Sequence, residues 1–202
     1  MRIIHGPRPR GKIRPDQLPE LESSGQWCAQ RKFNGSKTTF KVHQGKVQFF
    51  NKGEPFKRWK PPPSLMRQFS ALNLPSDQVF WFDGELLEPR VKNTVVIYDV
   101  LQADRYLIGM RQMDRLDKLD DICGNPRSRC DLEVALQVTD NIWMAEFWER
   151  NFVQHYEEFL HLDLIEGLVL RKKQAKLDNR GHSANDTDAQ VRCRKNASNY
   201  RF

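Results

Sequence analysis

Lys32 stands two residues ahead of Asn34-Gly35, a dipeptide that favours tight turns. A lysine amine is a nucleophile only when deprotonated, and nearby cations or a metal lower its pKa enough to supply that form near neutral pH. Two later blocks, Phe82-Asp83-Gly84-Glu85-Leu86 and Ile165-Glu166-Gly167-Leu168-Val169-Leu170, each set a carboxylate beside a glycine at a strand end. Such a carboxylate can accept from a hydroxyl or hold a metal-bound water. Between them Ile97-Tyr98-Asp99-Val100 offers an aromatic face inside an apolar run. Near the end of the chain Arg192 and Arg194 alternate, so a strand there points both into one pocket. An amine, two acids, a stacking ring and a pair of cations are what covalent transfer of a nucleotidyl group needs.

The order and spacing of these blocks resemble the covalent nucleotidyltransferase superfamily of ATP-dependent DNA ligases, RNA ligases and mRNA capping enzymes, whose first motif reads K-x-[DNH]-G. The resemblance runs from about Trp27 to Arg194. It implies that Lys32 attacks the α-phosphate of ATP, releasing pyrophosphate and leaving a lysyl-AMP phosphoramidate. Glu166 would face a catalytic Mg2+ or Mn2+, with Glu85 as a second metal or ribose ligand and Asn34 reaching the metal through water. Tyr98 would stack on adenine, unless it is a core tyrosine with a satisfied hydroxyl. Gln30 and Arg31 would read the adenine edge. Lys37 and Lys52 match positions near the nucleotide, where solvated lysines are equally ordinary. Arg192 and Arg194 stand where the family generally has lysines. Arginine keeps the charge and adds a fork but is no proton donor at neutral pH, so phosphate binding is retained and a general-acid role is not.

Asn34 departs from the aspartate common in DNA ligases, and the closing run Arg192-Cys193-Arg194-Lys195-Asn196 looks like RNA-ligase versions of the last motif. The expected activity is therefore an ATP-dependent polynucleotide ligase joining 5′-phosphate and 3′-hydroxyl ends, RNA preferred. A minimal nick-sealing DNA ligase is the alternative, and a catalytically impaired nucleic-acid-binding module of the same fold a further one. The chain leaves no room for the C-terminal oligonucleotide-binding (OB) barrel of DNA ligases and capping enzymes, so a protein partner replacing it is conceivable. A guanylyltransferase is least favoured, and the short N-terminal segment argues against NAD.

Periodicity supplies the elements that would position these groups. Strands are expected at 27–34, 37–43 and 46–51, with turns at Asn34-Gly35 and Gln44-Gly45, as a meander. Leu65, Met66, Phe69 and Leu72 recur at helical spacing after Pro61-Pro62-Pro63. Strands at 78–87 and 94–101 form a central sheet, the second buried on both faces. One helix is expected near 109–120, with Arg115 off its apolar face. A longer one is expected through Trp143, Phe147, Phe152, Tyr156, Phe159 and Leu160, opening at Thr139 or Asp140. A strand follows at 165–171, then 173–190 as a mobile polar loop, then a last strand. Residues 1–25 read as an extended arm. The expected fold is α+β, a nucleotidyltransferase (ATP-grasp-like) domain with antiparallel sheets flanked by helices and no OB barrel, the whole of 1–202 being one domain.

At 202 residues and 39% hydrophobic content the chain can bury one proper core. No apolar run approaches the roughly 18 residues of a membrane span, and the start lacks an apolar signal core, so a soluble intracellular protein, a monomer, is expected. Cys28, Cys123, Cys130 and Cys193 are too scattered for a zinc site and too few for a disulfide scaffold, and read as free thiols. A formal charge of +7 and a pI of about 9.3 suit a polyanionic partner without specifying one. The cations cluster at 8–14, 52–60 and 171–176. The second cluster includes Phe56 and Trp59, which would either stack on bases or anchor a solvated rim.

Overall fold

The computed structural model describes residues 4–178 and 186–195. In chain order, β1 (Arg8–Ile13) and α1 (Leu18–Ser23) precede β2 (Trp27–Phe33), β3 (Ser36–His43), β4 (Lys46–Asn51) and β5 (Glu54–Pro55). Then come α2 (Pro63–Gln68), β6 (Val79–Leu86), β7 (Val95–Ala103), β8 (Arg105–Tyr106) and α3 (Gln112–Ile122). The last elements are β9 (Leu136–Gln137), β10 (Ile142–Met144), β11 (Phe147–Trp148), α4 (Phe152–Glu157), β12 (Ile165–Lys172) and β13 (Asp186–Arg194).

Two sheets result. One has the order β1-β13-β12-β2-β11; the other runs β5-β4-β3-β6-β7-β10-β9, with β8 on β7. Pairing is antiparallel except for β1 with β13 and β10 with β7. The α+β class therefore holds, with two parallel pairs inside otherwise antiparallel sheets. Phe40, Phe49, Phe69 and Phe82 centre the core of the larger sheet. Leu18, Phe152, Leu168, Leu170 and Cys193 pack beneath the smaller one. Phe33, Tyr98, Trp143 and Ile165 form a third cluster that joins the two.

The expected meander is corrected at its first turn. β2 pairs with β12 and β11, and β3 pairs with β4 and β6, so Asn34-Gly35 is a crossover between sheets and no hairpin. Asn34 is tied to the chain entering β12, its backbone N–H donating to Leu164 O at 2.8 Å and its amide Nδ2 to Asp163 O at 3.0 Å. Gly35 then passes so close to β6 that a Cβ would lie 2.3 Å from Leu86 O.

The long aromatic helix is also corrected. Trp143 lies in β10, Phe147 in β11, and only Phe152 and Tyr156 in a short α4. Asn151 takes a left-handed φ of 61°, which ends any helix arriving from upstream. The first amides of α4 donate to the Glu22 carboxylate from α1, so a distant acid caps it. Thr139, expected as a cap, instead bonds Gln68 Oε1 and receives Ile142 N–H.

The N-terminal arm is ordered structure: Ile4 is buried in the core, β1 pairs with β13, and α1 packs against α4. Within the expected loop at 173–190, Lys173 and Ala175 make backbone bonds, Leu177 is buried, and β13 begins at Asp186; residues 179–185 lie outside the described residues. Among the described residues no helix is long and apolar enough to cross a membrane.

Candidate active site

Lys32 is the penultimate residue of β2, opposite Gly167 of β12. The register skips Glu166, a bulge that needs Gly167: its φ is +132° and a Cβ would lie 2.1 Å from Cys193 O. The extra residue is thereby free to aim its carboxylate at the Lys32 amine, and the two form an ion pair. Arg194 Nε stands 3.1 Å from the same Glu166 oxygen. On the facing sheet, Lys37, the second residue of β3, meets the buried Asp83 at 2.5 Å, with its ammonium 5.2 Å from the Tyr98 ring centre. The crossover at Asn34-Gly35 is what carries the chain from one wall to the other between these two lysines.

A cavity of about 320 Å³ lies between the sheets. Its walls include Gln30, Lys32, Lys37, Lys52 and Glu85, together with Tyr98, Glu166, Arg192 and Arg194. Asn34 is not among the lining residues. Arg31 contributes wall, but its side chain points away, because neighbours on a strand face opposite sides. Its guanidinium is buried on the other face, bonded to Val134 O at 3.0 Å and Glu158 Oε2 at 2.9 Å, and stacked between Trp148 and Phe159. An adenine-reading role for that side chain is therefore excluded. Lys195, in the closing basic run, is likewise structural, donating to Leu160 O and Leu162 O. Phe56 and Trp59 anchor on the core, Trp59 meeting Phe49 edge-on at 5.2 Å.

Of the polar cavity residues, Gln190 was not singled out by the sequence, and Arg8 and Arg171 were marked only as members of the basic clusters at 8–14 and 171–176. Arg171 follows Val169 at the two-residue period that faces the cavity, which is the signal that could have found it. Arg8 and Gln190 lay in segments whose strands are visible only through their mutual pairing. Behind Tyr98, Asp99 is buried with Arg115 at 2.8 Å, Gln112 at 3.3 Å and Arg171 at 3.5 Å, so Arg115 sits on the buried face of α3, contrary to expectation.

Burial lowers the pKa of Lys32, and Arg194 adds to that, while Glu166 and Glu85 oppose it. Burial pushes Glu85 up to about 7 against the pull of Lys37 and Lys32, so near neutral pH it is divided between acid and anion. The Tyr98 hydroxyl is raised well above its ordinary value, chiefly by burial and next by Glu85, and stays protonated. Among the described residues no group of three His, Cys, Asp or Glu side chains could hold a metal by itself. Two carboxylates facing one cavity do suit a magnesium-type ion, which keeps its waters and uses one or two carboxylates plus substrate phosphates. Glu166 and Glu85 are the residues that would hold it.

No family model matches the sequence, and no curated protein does. Solved structures do. A mycobacterial DNA ligase D complexed with ATP and MES aligns with a TM-score of 0.63 at 16% identity, over 93% of this chain and 58% of that one. The ligase domain of M. tuberculosis LigD aligns at 0.60 and 17%, over 85% and 54%. A minimal-scaffold Lig E DNA ligase aligns at 0.53 and 15%, over 95% and 70%. The chain thus spans a little over half the length of the ligase-D chains it matches. All three are DNA ligases, and none singles out the RNA branch. The two-sheet architecture of this chain is the fold shared by these DNA ligase structures.

Proposed function

We propose that the chain is the adenylyltransferase unit of an ATP-dependent polynucleotide ligase, with Lys32 as the nucleophile. The observation that supports this best is the Lys32–Glu166 pair in the lining of a cation-rich cavity that also presents Glu85 and Tyr98. In the first step the unprotonated Lys32 Nζ forms a bond to the α-phosphorus of ATP as the bond from that phosphorus to the bridging oxygen breaks, and pyrophosphate leaves. The Lys32 proton has Glu166 as its neighbour, and Arg192 and Arg194 balance the charge on the phosphate. A metal held by Glu166 and Glu85 would supply further charge neutralisation at the phosphates. AMP then passes to a 5′-phosphate, and a 3′-hydroxyl displaces it.

ATP is favoured over GTP by Gln30. Its Nε2 donates to Tyr98 O at 3.2 Å and Ala145 O at 3.3 Å. Carbonyls only accept, so the amide cannot flip, and Oε1 is left buried beside the cavity without a partner. A locked acceptor suits the amino group of adenine and opposes the carbonyl oxygen of guanine.

RNA ends are the substrate favoured by Asn34 and by the arginines of the closing motif; nicked DNA is the second reading, favoured by the DNA-ligase structures the fold resembles. The decisive test is intact mass after incubation with ATP and magnesium, repeated with GTP and with Lys32→Ala. An AMP adduct requiring Lys32 and ATP is expected. No adduct, with pre-loaded protein excluded by pyrophosphate treatment, would overturn the reading. Sealing assays on RNA, DNA and hybrid ends then separate the two substrates.

A further inference from the structure

β1 is an edge strand of the smaller sheet, paired on one side with β13. Ile13 of β1 and Val191 of β13 pack into the apolar cluster beneath that sheet. By strand alternation, Lys12 and Arg192 face the other way, toward the cavity side. Lys12 stands directly opposite Arg192, which lines the cavity. Arg10 precedes Lys12 by two residues and shares its face. Both are exposed, and the Arg10 contact to Asp188, at 3.3 Å, joins two largely solvated groups. Arg8, at the start of the strand, borders the cavity itself. Cations therefore lead from Arg194 and Arg192 in the cavity to Lys12 and Arg10 outside it, the last beside Asp188. Adjacent strands are ~4.8 Å apart, which puts β1 about 14 Å from the strand of Lys32, beyond the α-phosphate it would attack.

We propose that β1 is a docking rail for the phosphodiester backbone of the nucleic-acid strand whose end is being joined, with Arg10 and Lys12 as its phosphate contacts. This rests on the ligase reading and names where its polymer substrate lies. A nucleotide is served by the cations lining the cavity, whereas Arg10 and Lys12 lie outside the lining, where only a longer polyanion reaches. Charged side chains also guard sheet edges against pairing with other chains, and the experiment separates that role from docking.

The test uses the full chain carrying Arg10→Gln and Lys12→Gln together, with Lys46→Gln and Lys118→Gln as a control of equal charge change on other elements. Two quantities are read: lysyl-AMP formation by intact mass, and affinity for fluorescein-labelled 5′-phosphorylated DNA and RNA oligonucleotides across a salt series. The rail variant should form lysyl-AMP at the wild-type rate and ATP dependence. Its oligonucleotide affinity should fall about tenfold or more near physiological salt, with the log–log salt slope smaller by about 2, one per lost phosphate contact. The control should keep both. Unchanged affinity and slope in the rail variant, or an equal loss in the control, would overturn the rail while leaving the ligase reading in place. A raised ATP requirement for lysyl-AMP would reassign the two cations to the nucleotide. Absence of lysyl-AMP in the wild type would overturn the ligase reading and the rail with it.

Discussion

Glu85 is a carboxyl whose burial works against its own charge. A pKa raised from the ordinary glutamate range to about 7 means that the folded chain binds a proton the unfolded chain has already lost. The stability at stake is present below the unfolded pKa and is lost as pH rises through the folded one, a difference of about 3 kcal/mol over that window. Glu85→Gln, which never ionises, should therefore raise the melting temperature by roughly 6–12 °C at pH 8 and leave it nearly unchanged at pH 4.5, measured without nucleotide. The same change should slow lysyl-AMP formation. A melting temperature that shifts equally at both pH values would refute the assignment. Glu85 and Lys32 were legible as chemistry because their glycine neighbours mark them. Which acid meets the amine was not, since that depends on a bulge one strand away.

At the scale of elements, β2 carries two opposite duties on alternate residues. Gln30 and Lys32 face the cavity, while Arg31 locks the far side of the sheet to Trp148, Phe159 and Glu158. Arg31→Met should cost about 3 kcal/mol through the lost stacking and the unpaired acid. Protein that remains folded should still be adenylylated at the wild-type rate with unchanged ATP dependence, as chemical denaturation and intact mass would show. A raised ATP requirement would return Arg31 to the nucleotide. The expected helix through Trp143 and Tyr156 failed for a related reason. The steps Trp143 to Phe147, Phe152 to Tyr156 and Tyr156 to Phe159 satisfy a helical period, but the five-residue step from Phe147 to Phe152 breaks it, and the chain spends the stretch on two short strands and a short helix. The stretch ends where Asn151 turns left-handed and Glu22 takes over the free amides.

For the molecule as a whole, the cysteines report how the clusters close. All four are free and buried, and burial pushes Cys28 up to about 11 and Cys123 and Cys193 up to about 12. A thiol reagent at pH 8 should react with the native protein only slowly and should titrate four thiols per chain in guanidinium. Rapid reaction of one or more thiols under native conditions would show that a cluster opens. Cys193 is the informative one, because it stands between Arg192 and Arg194 in β13 with its thiol in the apolar cluster on the opposite face.

By itself the sequence determined the residue types of the site, the strands β2, β3, β4, β6, β7 and β12, and the α+β class. Each of these is carried by local signals: glycines beside acids, period-two alternation and continuous apolar runs. Tertiary structure decided what those signals cannot encode. Asn34-Gly35 has the chemistry of a hairpin, but its hydrogen-bond partners at Asp163 and Leu164 are some 130 residues away, and they make it a bridge between sheets. The strand character of Arg8–Ile13 exists only against Asp186–Arg194, and Arg115 is buried only because Asp99 waits for it. Local sequence biases backbone angles over a few residues; which strand lies beside which, and so which cation meets which acid, follows from burying three apolar clusters at once.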